Sequence, residues 1–340
     1  NLPLTDAARG VIALNPGNGW VSPLCHDPRV ALLVLRSMAA PHELAGLLDV
    51  LLRHELVEVH TRGDRIERVA VRDESGDVIA IEASYFIDAT PLSDLVALGG
   101  VEHTVGAESR QETGEPHAAE RADPRVQQAF TFCFAIEHLN GEDHTIDRPA
   151  QYTTWRAMNP EHWPGPLLGF TTMDPVTHEP LTRPLFSDGS VDDRSLWTYR
   201  RILDGSHLQS GFTRSDVTLV NWPQHDYWLG ALIGVGDAER ARHLEAARQL
   251  SLSLLYWLQT EAPRPDGGIG WPGLHLRADV VGATRDGLAP VPYVRESRRI
   301  RAETTIVEHA IAYPLRKDGP ELFADSVGVG AYRLDLHPCV

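Results

Sequence analysis

The first part of the chain changes from a helical to a strand-like pattern of apolar residues. Apolar residues dominate positions 30–38, and leucines recur at three- and four-residue spacing over 42–53, so the sequence predicts two helices. Apolar and polar residues alternate over 56–60, which predicts a strand. A hairpin is predicted over 66–82, with Gly76 in the left-handed position of its turn.

A buried strand is predicted at 85–90, because aromatic and apolar residues there run into a turn of small residues. Asp88 and Asp94 bracket this turn, which we call the acidic turn (residues 88–94). A helix, a strand, a hairpin and a returning strand, in that order, predict the second half of a dinucleotide-binding fold with an inserted β-meander. The alternative is an ordinary corner between a strand and a helix, with Ser93 or Asp94 as the N-cap.

The remainder of the chain predicts more strand than helix, with one exception. Residues 129–136 alternate and are rich in aromatics, and 197–202 and 217–222 have the pattern of paired strands. Residues 140–195 are rich in Pro, His and Asp and show little periodicity, which is typical of segments that cover a site. The clearest helix is predicted over 238–260, where leucines recur at helical spacing.

Composition and charge exclude several classes of function. The chain has 340 residues, 42% of them hydrophobic, which is ample for a packed core. It contains no run of about eighteen apolar residues, so we expect a soluble, cytoplasmic protein without a membrane partner. A formal net charge of −16 argues against nucleic acid as a partner, because phosphates favour a basic surface.

The scarcity of cysteine and lysine narrows the chemistry further. Cys25, Cys133 and Cys339 are far apart and form no Cys-x-x-Cys motif, so neither an iron–sulfur cluster nor another metal site is expected. Lys317 is the only lysine, and its neighbours predict a surface turn. Pyridoxal-phosphate enzymes and P-loop nucleotide hydrolases both need a lysine at a defined site, so both classes are excluded.

No glycine motif of the chain lies between a predicted strand and a predicted helix, as a dinucleotide-binding motif does. Gly17 and Gly19 are followed by Ser22 and then at once by Pro23. The Gly-x-Gly-x-x-Gly motif at 268–273 contains Pro272 and follows a proline-rich turn instead of a strand. We expect neither motif to bind a pyrophosphate.

Four blocks of sequence, taken together, carry a family resemblance. Phe86-Ile87-Asp88-Ala89-Thr90 resembles the strand-end motif of FAD-dependent oxidoreductases of the two-dinucleotide-fold kind, although Pro91 stands where those proteins usually have glycine. The blocks at 106–117, 219–223 and 295–300 are similar to segments of one large bacterial family of such enzymes. The four blocks span nearly the whole chain.

The resemblance implies an α/β protein, α+β overall, that uses FAD. Residues 1–100 would be part of a Rossmann-like FAD/NAD(P)-binding domain, and 101–340 a β-rich substrate domain. The flavin would accept a hydride or two electrons from a small-molecule substrate; the sequence names neither that substrate nor the electron acceptor. Family members place their pyrophosphate-binding glycines near the N-terminus and a flavin-contact segment at the C-terminus. Because this sequence shows neither feature, the chain is expected to be an internal fragment of a longer protein.

Seven residues are the candidates for the flavin and substrate sites. The cofactor-binding candidates are Asp88, Ala89, Thr90 and Asp94, and the catalytic candidates are His26, Arg295 and Arg298. The arginine segment (residues 295–301) holds four arginines, whose guanidinium groups suit a substrate carboxylate or a flavin carbonyl or phosphate. The alternative is a surface segment in which Glu296 and Glu303 pair with these arginines.

Two other classes of function stay open from the residues alone. One is a carbohydrate-active enzyme with Glu108 and Glu112 as paired carboxylates. Its support is the acidic loop that contains these two residues (106–117) and the polar and aromatic cluster at 221–228, which could equally be a core corner. The other is a non-catalytic sugar- or partner-binding domain that has lost its cofactor, which Pro91 favours.

Overall fold

A computed structural model describes residues 3–174, 177–187, 194–328, 330 and 337–339 of the chain. The α-helices of the described residues are α1 (Asp6–Arg9), α2 (Pro28–Leu44), α3 (Asp94–Leu98), α4 (Arg110–Thr113), α5 (Tyr152–Arg156), α6 (Leu196–Tyr199), α7 (Asp237–Thr260), α8 (Ala278–Val281) and α9 (Glu308–Ile311). The strands are β1 (Glu55–Arg62), β2 (Arg65–Arg72), β3 (Val78–Glu82), β4 (His103–Thr104), β5 (Phe134–His138), β6 (Thr171–Met173), β7 (Pro180–Thr182), β8 (Arg201–Leu203), β9 (Val217–Val220), β10 (Leu274–Leu276) and β11 (Arg299–Ile300). Short 3₁₀ helices lie at Gly205–His207 and Pro223–His225.

The chain forms two compact units, each built from three separate stretches of sequence. The first unit contains Asn1–Leu48, Phe130–Tyr227 and Leu244–Tyr293, and the second contains Asp49–Ala129, Trp228–His243 and Val294–Val340. Helices and small sheets are mixed, which is consistent with the predicted α/β class. The predicted domain boundary near residue 100 stays a prediction.

The first unit is built on a four-stranded antiparallel sheet with the order β10-β5-β9-β8. One of its two inner strands, β5, is inaccessible to solvent at Phe134, Ala135 and Ile136. Consecutive residues of a strand point to opposite faces of the sheet, so both faces of β5 are covered, which explains its continuous apolar run. Val280 of α8 packs into the same core cluster as Ala135.

Helix α7 confirms the prediction over 238–260 and extends over Asp237–Thr260. Leu250, Leu254 and Leu258 are fully buried, at the spacing that places them on one side of a helix. The amide of Gln259 in the same helix donates to the Leu274 carbonyl of β10 at 2.8 Å, which ties the helix to the sheet.

The second unit contains the predicted β-meander. Strands β1, β2 and β3 pair in order and antiparallel, so the strand at 56–60 and the hairpin at 66–82 are confirmed. Gly76 has a φ of +94°, and the Asp73 carboxylate accepts hydrogen bonds from the Ser75 and Asp77 backbones inside the turn. A separate pair, β4 with β11, joins the region after α3 to the arginine segment.

The predicted second helix over 42–53 is wrong. Helix α2 continues through Pro41 and ends at Leu44, and Gly46 then takes a φ of +67°. A left-handed residue cannot continue an α-helix, so the chain turns there. Leu47 and Leu51, which would have formed the buried stripe, are exposed.

The predicted strand over 85–90 is also wrong in the described structure. Strand β3 ends at Glu82, and the following residues form no strand, with Tyr85 89% and Ile87 90% exposed. A strand needs a neighbouring strand for its backbone hydrogen bonds, and no described strand lies alongside these residues. The predicted strands over 129–136 and 197–202 are confirmed only in part, because residues 196–199 form α6 and the strands of the described structure in these regions are Phe134–His138 and Arg201–Leu203. Phe130 and Thr131 form isolated β-bridges instead of a continuous strand.

The turn-rich loop near residue 17 lies against β8 in the first unit. The Gly17 carbonyl accepts a hydrogen bond from the Arg201 guanidinium at 2.6 Å, and a Cβ at Gly17 would lie 1.7 Å from the Arg201 carbonyl oxygen. These glycines therefore permit a close approach of two backbones instead of binding a dinucleotide.

We expect Gly17→Ala to destabilise the protein by about 2 kcal/mol, because the added methyl group must displace backbone that cannot rotate away. Urea unfolding followed by circular dichroism measures the change. Gly10→Ala is the matched control, because a Cβ there meets its nearest atom at 3.5 Å, an ordinary contact. Equal unfolding midpoints for the two variants would contradict the close approach.

Candidate functional site

The acidic turn is held by its own side chains. The Asp88 carboxylate accepts hydrogen bonds from the Thr90 backbone N–H at 2.9 Å, from the Thr90 hydroxyl at 2.7 Å and from the Val96 N–H at 3.2 Å. The Thr90 hydroxyl oxygen in turn accepts from the Asp94 N–H at 2.7 Å. Asp88 and Thr90 therefore fold the turn onto the beginning of α3.

These hydrogen bonds keep Asp88 ionised. Partial burial alone would raise the pKa of Asp88, but the donors from Thr90 and Val96 stabilise the charged form and bring its pKa below the usual value. The turn thus carries a carboxylate whose oxygens are already engaged by the protein.

Ser93 and Ser297 join the acidic turn to the arginine segment. Ser93 has a φ of 55°, an uncommon conformation for a residue other than glycine, and its hydroxyl lies 2.9 Å from the Ser297 hydroxyl across 204 positions of sequence. Beside this pair, the Arg298 guanidinium donates to the Leu92 carbonyl and lies 4.0 Å from an Asp94 oxygen. The structure therefore brings together the two stretches on which the sequence prediction depends.

Arg299 is fully engaged within the second unit. Its guanidinium contacts Glu108 at 3.1 Å, Glu296 at 3.0 Å and the Gly106 carbonyl at 2.5 Å. The alternative of a salt-bridged segment therefore holds for Arg299 and Glu296.

Both carboxylates proposed for a carbohydrate-active enzyme are bonded to other residues of the fold. Glu108 pairs with Arg299, and Glu112 forms a capping box with Ser109 at the beginning of α4. The aromatic cluster at 221–228 is a core corner, since Trp222, His225 and Asp226 are at most 1% exposed. The structure does not support this class of function.

The two other catalytic candidates belong to different units. Arg295, in the second unit, donates to the Ala129 carbonyl at 3.0 Å. His26, in the first unit, is exposed, and its Nδ1 lies 2.6 Å from the Leu24 carbonyl. Because a carbonyl can only accept, Nδ1 carries the proton, and in the neutral ring Nε2 is left as an acceptor.

The acidic turn presents small groups on its outer side. Ala89, Thr90 and Pro91 are exposed. Within the described residues, the backbone N–H groups of Ala89 and Leu92 have no hydrogen-bond partner, and Pro91 has no N–H to donate. Small side chains and free N–H groups suit a ligand rich in oxygen acceptors, so the turn fits a nucleotide cofactor.

Sequence analysis missed Ser297 and gave Ser93 only the role of a cap. Neither residue makes a periodic pattern, and a contact over 204 positions leaves no local signal. The one available indication is that Ser297 lies within the arginine segment of an otherwise acidic chain.

The glycine motif at 268–273 is structural, as expected. Ile269 forms a β-bridge with Pro263, and a Cβ at Gly270 would lie 2.3 Å from the Gln259 carbonyl oxygen. The motif therefore packs against the end of α7.

Among the residues that the structure describes, no group of three or more His, Cys, Asp or Glu side chains could hold a metal ion. None of the described helices combines the length and apolar character that crossing a membrane requires.

Comparison with known proteins identifies one family. The sequence model of the family described as FAD dependent oxidoreductase matches residues 4–340. No curated protein and no solved structure matches the chain.

Proposed function

The chain belongs to the FAD-dependent oxidoreductase family, and from that membership we propose that it transfers a hydride or two electrons from a small-molecule substrate to the flavin of FAD. The observation that carries the proposal is the junction of the acidic turn with the arginine segment. It combines a shaped, exposed turn with the partly buried guanidinium group of Arg298. Both stretches lie in sequence blocks that resemble the family.

The residues of the acidic turn would hold the cofactor. We propose that the free N–H groups of Ala89 and Leu92 donate to FAD, with Thr90 and Asp94 beside it and Asp88 shaping the turn from behind. Bound FAD supplies the redox chemistry, because the flavin ring accepts two electrons. The chain's own contribution is to bind and orient it.

Arg298 has two proposed tasks. Its side chain is 13% exposed, and its bond to Leu92 supports the turn. The remaining guanidinium donors have no hydrogen-bond partner among the described residues, so they are available to a substrate carboxylate or to a flavin oxygen. Arg295 is the other substrate-side candidate of the second unit. In the first unit, His26 stays a candidate acid or base through its Nε2 atom.

The Rossmann-like assignment of residues 1–100 and the β-rich substrate domain at 101–340 are part of the proposal. The confirmed meander and the turn that follows it support the first assignment. The sheet formed by β10, β5, β9 and β8 supports the second. The three free cysteines are compatible with a reducing, cytoplasmic location.

A visible absorption spectrum tests the proposal directly. The protein purified from its complete gene is expected to be yellow and to bleach when a reductant is added, because reduction removes the absorption of the oxidised flavin. A colourless protein that also fails to take up added FAD would overturn the proposal and favour a binding domain without a cofactor.

A further inference from the structure

An open pocket of about 620 Å³ lies at the end of β5 in the first unit. Two loops form it, one running on from His138 through Asp143 and the other containing Arg264 and residues 271–273, with Phe186 between them. Its volume is in the range of small-molecule sites. None of the residues proposed to bind FAD or substrate lines it.

One wall of the pocket is aromatic. The Phe186 ring lies 5.0 Å from the His138 ring and 5.9 Å from the Trp271 ring, measured between centroids. Trp197 supports Phe186 from another side at 4.8 Å. Phe186 is only half-buried, so this supported ring offers a fixed apolar surface to a ligand.

Three polar groups of the lining are unused. Within the described residues, the His138 ring nitrogens, the Asn140 amide and the Trp271 indole N–H make no hydrogen bond. Burial, helped by the positive charge of Arg264, lowers the pKa of His138, so the ring is neutral near neutral pH. The three groups together offer both donors and acceptors.

The charges around the pocket are largely compensated. The Arg264 guanidinium is held by both oxygens of Asp266, with one contact at 3.1 Å. Glu142 pairs with Arg214 and lies 2.7 Å from the His144 ring. Asp143, at the rim, accepts a hydrogen bond from the Thr145 N–H at 2.9 Å. It forms no ion pair among the described residues, so its negative charge disfavours an anionic ligand.

We propose that this pocket binds a neutral saccharide. The C–H face of a pyranose ring packs on Phe186, and its hydroxyl groups, which both donate and accept, bond to His138, Asn140 and Trp271. A purely apolar ring would leave these polar groups unpaired, and an acidic sugar would face Asp143. The proposal concerns binding alone and does not depend on the flavin.

Isothermal titration calorimetry with the full chain tests the proposal. The probes are the methyl pyranosides of glucose, galactose and mannose, with methyl glucuronide as the acidic comparator. We expect saturable binding of at least one neutral glycoside. Asn140→Ala should weaken it about 5- to 10-fold, the effect of one lost hydrogen bond.

Asn159→Ala is the matched control, because Asn159 is an exposed asparagine of the same unit that does not line the pocket. It should leave the affinity unchanged. Phe186→Leu should also weaken binding, because leucine keeps an apolar side chain at this position but lacks the flat aromatic face on which the sugar ring packs. The proposal is overturned if no neutral glycoside binds, if methyl glucuronide binds more tightly, or if Asn140→Ala has no effect. FAD content is measured separately and is expected to be the same in all variants.

Discussion

Replacing Asp204 with alanine is expected to lower the free energy of unfolding by about 3 kcal/mol, at the lower end of the cost of breaking a buried charge pair. The Asp204 residue is 7% exposed and accepts from Arg201 at 2.9 Å, from Asn18 at 2.6 Å and from the Ser206 N–H at 2.9 Å. Without it, a mostly buried Arg201 keeps only Asp216 as a carboxylate partner, at 2.8 Å. Because Asp216 still pairs with Arg201, we expect a loss of stability at the lower end of the range for buried charge pairs. Urea unfolding followed by circular dichroism measures the loss.

The effect of Asp204 should depend on pH in a defined direction. Burial alone would raise the pKa of Asp204, but hydrogen bonds from Ser206 and Asn18 and the charge of Arg201 bring it below the usual value. A carboxylate with a lowered folded-state pKa stabilises the fold above its unfolded pKa, and this stabilisation is lost as the pH falls through the folded value. The difference between wild type and Asp204→Ala should therefore be constant above about pH 5 and shrink below about pH 4.

Asp6→Ala is the surface control for Asp204, because the Asp6 side chain is fully exposed. It should leave the unfolding midpoint unchanged. A loss in Asp204→Ala no greater than in Asp6→Ala, or a difference that grows on acidification, would contradict the buried network.

The sequence predicts well those elements that depend on neighbours along the chain. Helix α7 follows from leucines at helical spacing, and the meander follows from alternation together with the glycine that its turn requires. The glycine motif at 268–273 lies between α7 and β10, so it forms no strand–turn–helix, as its prolines predict. In each case the residues that decide the structure lie within a few positions of one another.

The sequence predicts poorly whatever depends on a distant partner. Apolar character at 85–87 is compatible with a strand, but strand formation needs a neighbour, and the described residues provide none. The hydroxyl pair of Ser93 and Ser297 is a tertiary contact of two common residues. The resemblance indicated that both stretches matter, and only the fold could show that they touch.

We expect Asp88→Ala to weaken FAD binding roughly 100-fold, if the turn binds the cofactor as proposed. Each hydrogen bond to a charged acceptor contributes about 1.5–3 kcal/mol, and a 100-fold change in affinity corresponds to about 2.7 kcal/mol. Alanine removes the acceptor for Thr90 and Val96, so the turn must be ordered by the ligand itself. Quenching of flavin fluorescence on titration of the FAD-free protein measures the dissociation constant.

Two further variants are compared with Asp88→Ala: one tests the charge of Asp88, and the other is a surface control. Asp88→Asn keeps an oxygen that can accept from Thr90, so it should lose less affinity than Asp88→Ala. Asp64→Ala removes an exposed acid from a different turn of the same unit and should bind FAD as the wild type does. If Asp88→Ala bound FAD as tightly as Asp64→Ala while the wild type bound it well, the protein would still be a flavoprotein, but the cofactor would be held elsewhere. The ordering Asp64→Ala, Asp88→Asn, Asp88→Ala, from tightest to weakest, is the result that assigns the acidic turn to the flavin.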